Sequence, residues 1–100
     1  MERELPDYLL CLGEAWLGKK EPARAREPLE RALSMREGHA DTECARIRFC
    51  LAQALWEAGD DKRRAIELAK RALAGYSEAG ASDAKSRSEV LRWLKGRGIG

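Results

Sequence analysis

The feature that most constrains this chain is an internal repeat with a period of about 40 residues, a length typical of helical repeat units. The segments YLLCLGEAWLGKKEPARAREPLERAL (residues 8–33) and RFCLAQALWEAGDDKRRAIELAKRAL (residues 48–73) place small and large apolar residues in the same order. Gly13 of the first segment corresponds to Ala52 of the second, and Ala32 corresponds to Ala72. A unit of this length is one supersecondary motif that buries its apolar face against the next copy.

Five helices are predicted, because apolar residues recur at helical spacing between Gly-, Pro- and Asp-containing breaks. The predicted helices run from about Pro6 to Leu17, Pro22 to Arg36, Asp41 to Ala58, Lys62 to Ala79, and from a cap at Ser82 or Asp83 to about Lys95. The tail GRGIG after the last helix is expected to fray.

Two local features of these helices are expected. Pro28 lies inside the second helix and should bend it, since proline removes one backbone hydrogen bond. An Asp in the turn Gly59-Asp60-Asp61 should cap the fourth helix through its side-chain carboxylate.

Composition favours a folded, strongly amphipathic helical protein, with 44% hydrophobic and 36% charged residues. Strands are not expected, because Thr42 is the sole threonine and alternating apolar patterns are absent. The formal net charge of +2 requires no nucleic-acid partner, although residues 1–60 carry −3 and residues 61–100 carry +5. The prediction is therefore an all-α fold in a single domain spanning residues 1–100.

The order of small, aromatic and large apolar residues resembles the tetratricopeptide repeat (TPR) signature. The matching residues are Leu12, Gly13, Trp16, Ala25, Leu29 and Ala32 in the first unit, and Leu51, Ala52, Leu55, Ala65, Ala69 and Ala72 in the second. The longer period and the REPLERAL segment are similar to the long TPR variant of kinesin light chains and many bacterial proteins. The resemblance implies a right-handed α-solenoid, with repeats at about 5–36 and 40–79 and a capping helix at about 82–95. It also implies a protein–protein interaction module.

A narrower resemblance covers residues 44–95, which look like the C-terminal TPR segments of some bacterial Ser/Thr protein kinases. It implies a regulatory or docking segment of a bacterial signalling protein. The chain itself contains no glycine-rich phosphate loop and no HRD or DFG motif.

Catalysis and metal binding are not expected. His39 is the only histidine and lies in a predicted loop, so a Ser-His-Asp or Cys-His set would depend on that one imidazole. Cys11, Cys44 and Cys50 have no CxxC spacing, and with one histidine they do not form a standard zinc site. They are interpreted as reduced, partly buried small side chains. The sequence therefore predicts no enzyme activity, no metal and no cofactor.

A cytoplasmic protein without a membrane partner is predicted from the sequence. The first ten residues are charged and do not resemble a signal peptide. No apolar run approaches the roughly 18 residues required to span a bilayer.

The remaining candidate site is the groove lined by the first helix of each pair. Some side chains of these helices point away from the contact between the two helices of the pair. They are expected to contact a peptide or partner protein, because aromatic and Arg side chains dominate such sites. They are Asp7, Leu10, Glu14, Leu17, Arg46, Phe49, Gln53 and Trp56. The alternative for Phe49 and Trp56 is packing against the first helix pair or the fifth helix.

Two other functions remain open. Leu9, Leu12 and Trp16 on the unpaired side of the first helix suit self-association into a homodimer. The basic residues of the fourth helix suit nucleic-acid contact, an interpretation weakened by its sparse aromatic residues and interrupting acids. These basic residues are Lys62, Arg63, Arg64, Lys70 and Arg71.

Overall fold

A computed structural model describes residues 5–36, 42–79 and 84–98, and these residues form five α-helices and no strands. The helices are α1 (Pro6–Gly18), α2 (Pro22–Arg36), α3 (Thr42–Glu57), α4 (Lys62–Ala79) and α5 (Ala84–Gly96). The all-α prediction is confirmed, and each helix begins and ends at or next to the residue expected. The predicted breaks at 37–41 and 80–83 lie outside the described residues, and so does His39.

Successive helices pack side by side: α2 on α1, α3 on α2, α4 on α3 and α5 on α4, with a smaller contact between α1 and α3. The resulting body measures 43 × 29 × 20 Å. α3 lies at its centre, and nine of its residues between Cys44 and Leu55 are buried. A helix that is apolar on most of its sides is expected where neighbours surround it.

Small residues set the closest approaches between helices. Gly13 of α1 faces Leu29 of α2, and a methyl group at position 13 would lie 2.4 Å from Leu29 Cγ. Gly75 of α4 faces Ala45 of α3, where an added methyl group would lie 3.0 Å from the Ala45 Cβ. Ala52, the counterpart of Gly13 in the second unit, is fully buried.

The turn after each first helix of a pair repeats in detail. Lys20, Gly59 and Gly98 are evenly spaced along the chain and adopt positive φ angles of 61°, 69° and 77°. The amide of each donates to a carbonyl one turn earlier, on Leu17, Trp56 and Lys95 respectively, at 3.0–3.1 Å. This left-handed closing turn ends a helix by satisfying its last carbonyls. α5 therefore ends in the same way as α1 and α3.

α2 continues across Pro28, which is buried within the helix. At the start of α4, the Asp61 carboxylate accepts a hydrogen bond from the backbone N–H of Arg64 at 3.0 Å, which confirms the predicted cap.

An ion-pair network joins α2 to the start of α4. Arg64 donates to the two Glu30 carboxylate oxygens at 2.5 and 2.7 Å, and Arg26 of α2 pairs with Asp60. The network fixes α4 against α2.

Candidate partner-binding face

The first helix of each pair contributes to one side of the molecule, called here the α1–α3–α5 face. Its α1–α3 part is held by Glu14 and Arg46. The Arg46 guanidinium donates from Nε and Nη2 to both Glu14 carboxylate oxygens at 2.8–3.0 Å. This hydrogen bonding raises the pKa of Arg46, and the planar two-atom geometry is the strong form of the pair. Two predicted site residues thus contact each other and fix the spacing of α1 and α3.

Cys50 lies beneath this ion pair, and its thiol approaches Glu14 Oε2 at 3.8 Å. Burial, followed by the nearby Glu14 charge, raises the pKa of Cys50 to about 12. A thiol with this pKa carries almost no thiolate at neutral pH and is a poor nucleophile. The predicted burial is confirmed for Cys44 and Cys50, whereas Cys11 is exposed.

The α3–α5 part of the face is an aromatic cluster of Phe49, Trp56 and Trp93. Trp93 meets Phe49 edge to face with ring centroids 5.9 Å apart, and it meets Trp56 at 5.8 Å with a similar crossing. Such geometry adds about 0.5–1.5 kcal/mol per pair beyond apolar burial. The cluster joins α5 to α3 through side chains.

Two cations cover the aromatic cluster. The Arg97 guanidinium lies 4.2 Å from the Trp93 ring centroid and 5.6 Å from that of Trp56, while Lys62 Nζ lies 4.9 Å from the Trp56 ring. Arg97 also donates from Nη1 to the Trp93 carbonyl at 3.0 Å. Arg97 therefore fastens the end of α5 onto the cluster, by cation–π attraction and one hydrogen bond.

Two buried donors near the cluster have no acceptor among the described residues: Trp93 Nε1 and Arg97 Nε. A buried donor left without a partner costs about 1–3 kcal/mol. The aromatic cluster therefore contains two N–H groups without a hydrogen-bond acceptor among the described residues.

An open cavity of about 320 Å³ lies beside the cluster, between α3 and α5. Its walls combine the Phe49 and Trp93 rings with the polar groups of Gln53, Glu89 and Arg92. No ion pair within the described parts of the chain engages Glu89 or Arg92. The cavity thus offers aromatic surface, an amide, a carboxylate and a guanidinium within one depression.

Two of the eight predicted site residues are corrected in their exposure. Leu10 is 4% exposed and has no open surface, and Phe49 is 9% exposed, so it offers only the small part of its ring that lines the cavity. Phe49 is drawn inward because Trp93 of α5 packs on it, which was the alternative left open for this side chain. Trp56 is half-buried for the same reason, and it packs against the core.

The other predicted residues divide between two places. Gln53 lines the cavity, and Glu14 and Arg46 form their ion pair toward α1. Asp7 is exposed and Leu17 is half-buried against the core, but neither lines the cavity.

The homodimer contact expected of Leu9 is wrong. Leu9 is 1% exposed and belongs to the core of this chain, because α2 and α3 both lie against α1. It has no surface left to offer to a second copy.

The residues that sequence reasoning missed all belong to α5 and its closing turn: Glu89, Arg92, Trp93 and Arg97. The sequence identifies the apolar run containing Trp93 as the end of a helix, but it does not specify which side chains pack on it. Arg97 belongs to the tail expected to fray. The signal that identifies it is Gly98, which repeats the turn position of Gly59 and holds Arg97 against the cluster.

Within the described ranges, no set of three or more His, Cys, Asp or Glu side chains is placed to hold a metal ion. No helix in those ranges combines the length and the apolar character needed to cross a membrane. The chain matches no family model, no curated protein and no solved structure.

Proposed function

We propose that this chain is a TPR-type protein–protein interaction module that binds a peptide segment of a partner protein on the α1–α3–α5 face. The observation that carries the proposal is the cavity beside Gln53, where aromatic walls and polar groups of α3 and α5 meet. Peptide sites combine buried aromatic anchors with a few placed polar groups. The role is binding, without catalysis.

The repeat architecture supports this assignment. Stacked helix pairs present one continuous face made by the first helix of each pair, and such faces are extended binding surfaces. Here Glu14–Arg46 and the aromatic cluster fix the spacing of three such helices. A rigid face of this kind binds an extended segment with little ordering cost on the protein side. The resemblance of residues 44–95 to kinase-linked segments supports a partner in bacterial signalling.

The cavity's polar groups indicate which peptides fit. Arg92 and Arg97 contribute two positive charges to its lining, and Glu89 contributes one negative charge. A peptide carboxylate beside Arg92, with an apolar side chain against Phe49 and Trp93, matches this lining. We therefore expect selected peptides to contain an acidic residue next to an apolar one.

The test is selection of peptides from a displayed random library on the intact protein, followed by affinity measurement with variants. Gln53→Arg fills the cavity with a bulky charged side chain and is expected to weaken a selected peptide at least about tenfold. Ser77→Arg adds the same side chain at an exposed position of α4 away from the cavity, and should leave affinity unchanged. Equal affinity for both variants, each with wild-type helical circular dichroism, would contradict the proposed site.

A further inference from the structure

A second groove lies on another part of the molecule, between α4 and α5, and has a volume of about 670 Å³. Its apolar lining consists of Leu73, Leu91 and Leu94, and its basic lining of Lys70, Arg92 and Lys95. Leu91 is 43% exposed, which makes it one of the most exposed large apolar side chains described. This α4–α5 groove is distinct from the cavity on the α1–α3–α5 face, although Arg92 lies at both.

The repeat shows what covers such a groove elsewhere in the chain. The recurring turn at Gly59 and Gly98 aligns α5 with α3, so that Leu91 takes the place of Ala52 and Leu94 that of Leu55. Both counterparts in α3 are fully buried. α4 packs along α3, and the corresponding position along α5 holds no helix among the described residues.

The same comparison shows how α4, the helix that covers α3, is held against α2. α4 reaches α2 through Arg64, which forms a two-atom hydrogen-bonded ion pair with Glu30. The residue of α4 that corresponds to Glu30 in the repeat is Lys70, since ERAL at the end of the first unit aligns with KRAL at the end of the second. The repeat position that is acidic in α2, where α4 lies against it, is therefore basic in α4, where the groove is open.

The lining of the open groove has a single sign of charge. Lys70, Arg92 and Lys95 are all exposed, and none forms an ion pair with any residue in the described ranges. No acidic residue accompanies them in the lining of the groove. A ligand that covers the exposed Leu91 and the half-buried Leu73 must place its own polar groups beside these cations, and carboxylates are the complementary choice.

We propose that the α4–α5 groove binds an acidic amphipathic helix of a partner protein, which lies along α5 as α4 lies along α3. Its apolar face covers Leu91 and Leu73, and a carboxylate on its edge pairs with Lys70. A second copy of α4 does not meet this requirement, because its Arg64 would face Lys70 with like charge. The inference does not depend on peptide binding at the α1–α3–α5 face.

The chain supplies its own probe. Two peptides with the sequence of residues 62–79 are compared, one unchanged and one carrying Arg64→Glu, in titrations of the intact isotope-labelled protein followed by nuclear magnetic resonance. The Arg64→Glu peptide is expected to shift the signals of Leu73, Leu91 and Leu94. It should bind about three- to tenfold more tightly than the unchanged peptide, as expected for exchanging an exposed repulsive pair for an attractive one.

Charge reversal on the protein provides the matched control. Lys70→Glu should reverse the preference, so that the unchanged peptide binds more tightly. Arg71→Glu makes the same charge change at an exposed neighbour outside the groove, and should preserve the preference for the Arg64→Glu peptide. Gln53→Arg should leave both peptides unaffected, which separates this site from the α1–α3–α5 face.

Three results would overturn the proposal. The first is equal affinity for both peptides, or no binding of either. The second is a set of shifts confined to residues outside the groove. The third is a dimer in sedimentation experiments that dissociates on Leu91→Asp substitution, because the occupant would then be a second copy of the chain.

Discussion

Gly13 and Leu29 are in such close contact that a single methyl group at position 13 would lie 2.4 Å from Leu29 Cγ and 2.5 Å from Cδ2. In the second repeat the corresponding pair is Ala52 and Ala69, both fully buried. The side chain is larger at Ala52 than at Gly13, and it is smaller at Ala69 than at Leu29. The two repeats therefore place different pairs of side chains at corresponding positions of facing helices.

This relationship predicts a compensating pair of substitutions. Gly13→Ala should lower the free energy of unfolding by about 1–3 kcal/mol through overpacking, despite the better helix propensity of Ala. Leu29→Ala should lower it by about 2–5 kcal/mol by leaving a cavity. The double variant recreates the Ala–Ala pair of the second repeat and should lose less than the sum of the two. Urea unfolding of the four proteins measures the coupling, and strict additivity would contradict the contact.

The recurring turn yields a second prediction. Lys20 adopts a φ of 61° where its counterpart Gly59 has 69°. A side chain in this conformation costs about 1 kcal/mol. Lys20→Gly should therefore raise the free energy of unfolding, and Gly59→Ala should lower it by a similar amount. Gly18→Ala serves as the control, because Gly18 lies in α1 with no atom within 4 Å of an added methyl group. Thermal unfolding should rank Lys20→Gly above wild type, and the reverse order would contradict the turn assignment.

The aromatic cluster predicts that Phe49 stabilises the fold. Phe49→Ala should lower the free energy of unfolding by about 3–5 kcal/mol, because it removes a buried ring and its contact with Trp93. Trp93→Phe should cost much less, since it keeps a ring in place and removes the unpartnered indole N–H. Denaturant unfolding distinguishes the two variants. Wild-type stability of Phe49→Ala would contradict this structural role of Phe49.

The three cysteines should differ sharply in reactivity. Cys11 is exposed, whereas burial raises the pKa of Cys50 to about 12 and Cys44 is fully buried. In mildly alkaline buffer iodoacetamide should modify one thiol quickly, and mass spectrometry should locate it at Cys11. Cys11→Ser should remove the fast reaction, and guanidinium should expose the remaining two thiols. Rapid modification of Cys50 in the folded protein would contradict its burial.

Periodicity was sufficient to predict the five helices, because the bounds of a helix depend on local spacing and on the residues that break it. It failed for Phe49 and Leu10, since a helix with partners on several sides buries more than the one stripe that a local pattern identifies. The partner of Phe49 is Trp93, two helices further along the chain, and no local pattern specifies that contact. The ion pair of Glu14 with Arg46 is equally non-local: the sequence places both residues among the groove candidates but does not predict that they contact each other.

The network around Glu30 predicts a pH-dependent contribution to stability. A hydrogen bond from Arg64, opposed in part by burial, lowers the pKa of Glu30 below its ordinary value of 4.5. A carboxylate with a lowered pKa in the folded state stabilises the fold above the unfolded-state pKa, and this contribution is lost as the pH falls through the folded-state pKa.

Glu30→Gln removes that contribution. Because the side chains of Glu30 and Arg64 are 30% and 37% exposed, solvent screens their interaction. The substitution should therefore cost about 0.5–1 kcal/mol at neutral pH. The difference from wild type should shrink as the pH falls below 4.5 and through the lowered folded-state pKa of Glu30. Glu67→Gln makes the same chemical change at an exposed position of α4 outside the network and serves as the control in urea unfolding. A pH-independent cost for Glu30→Gln would assign Glu30 a packing role instead.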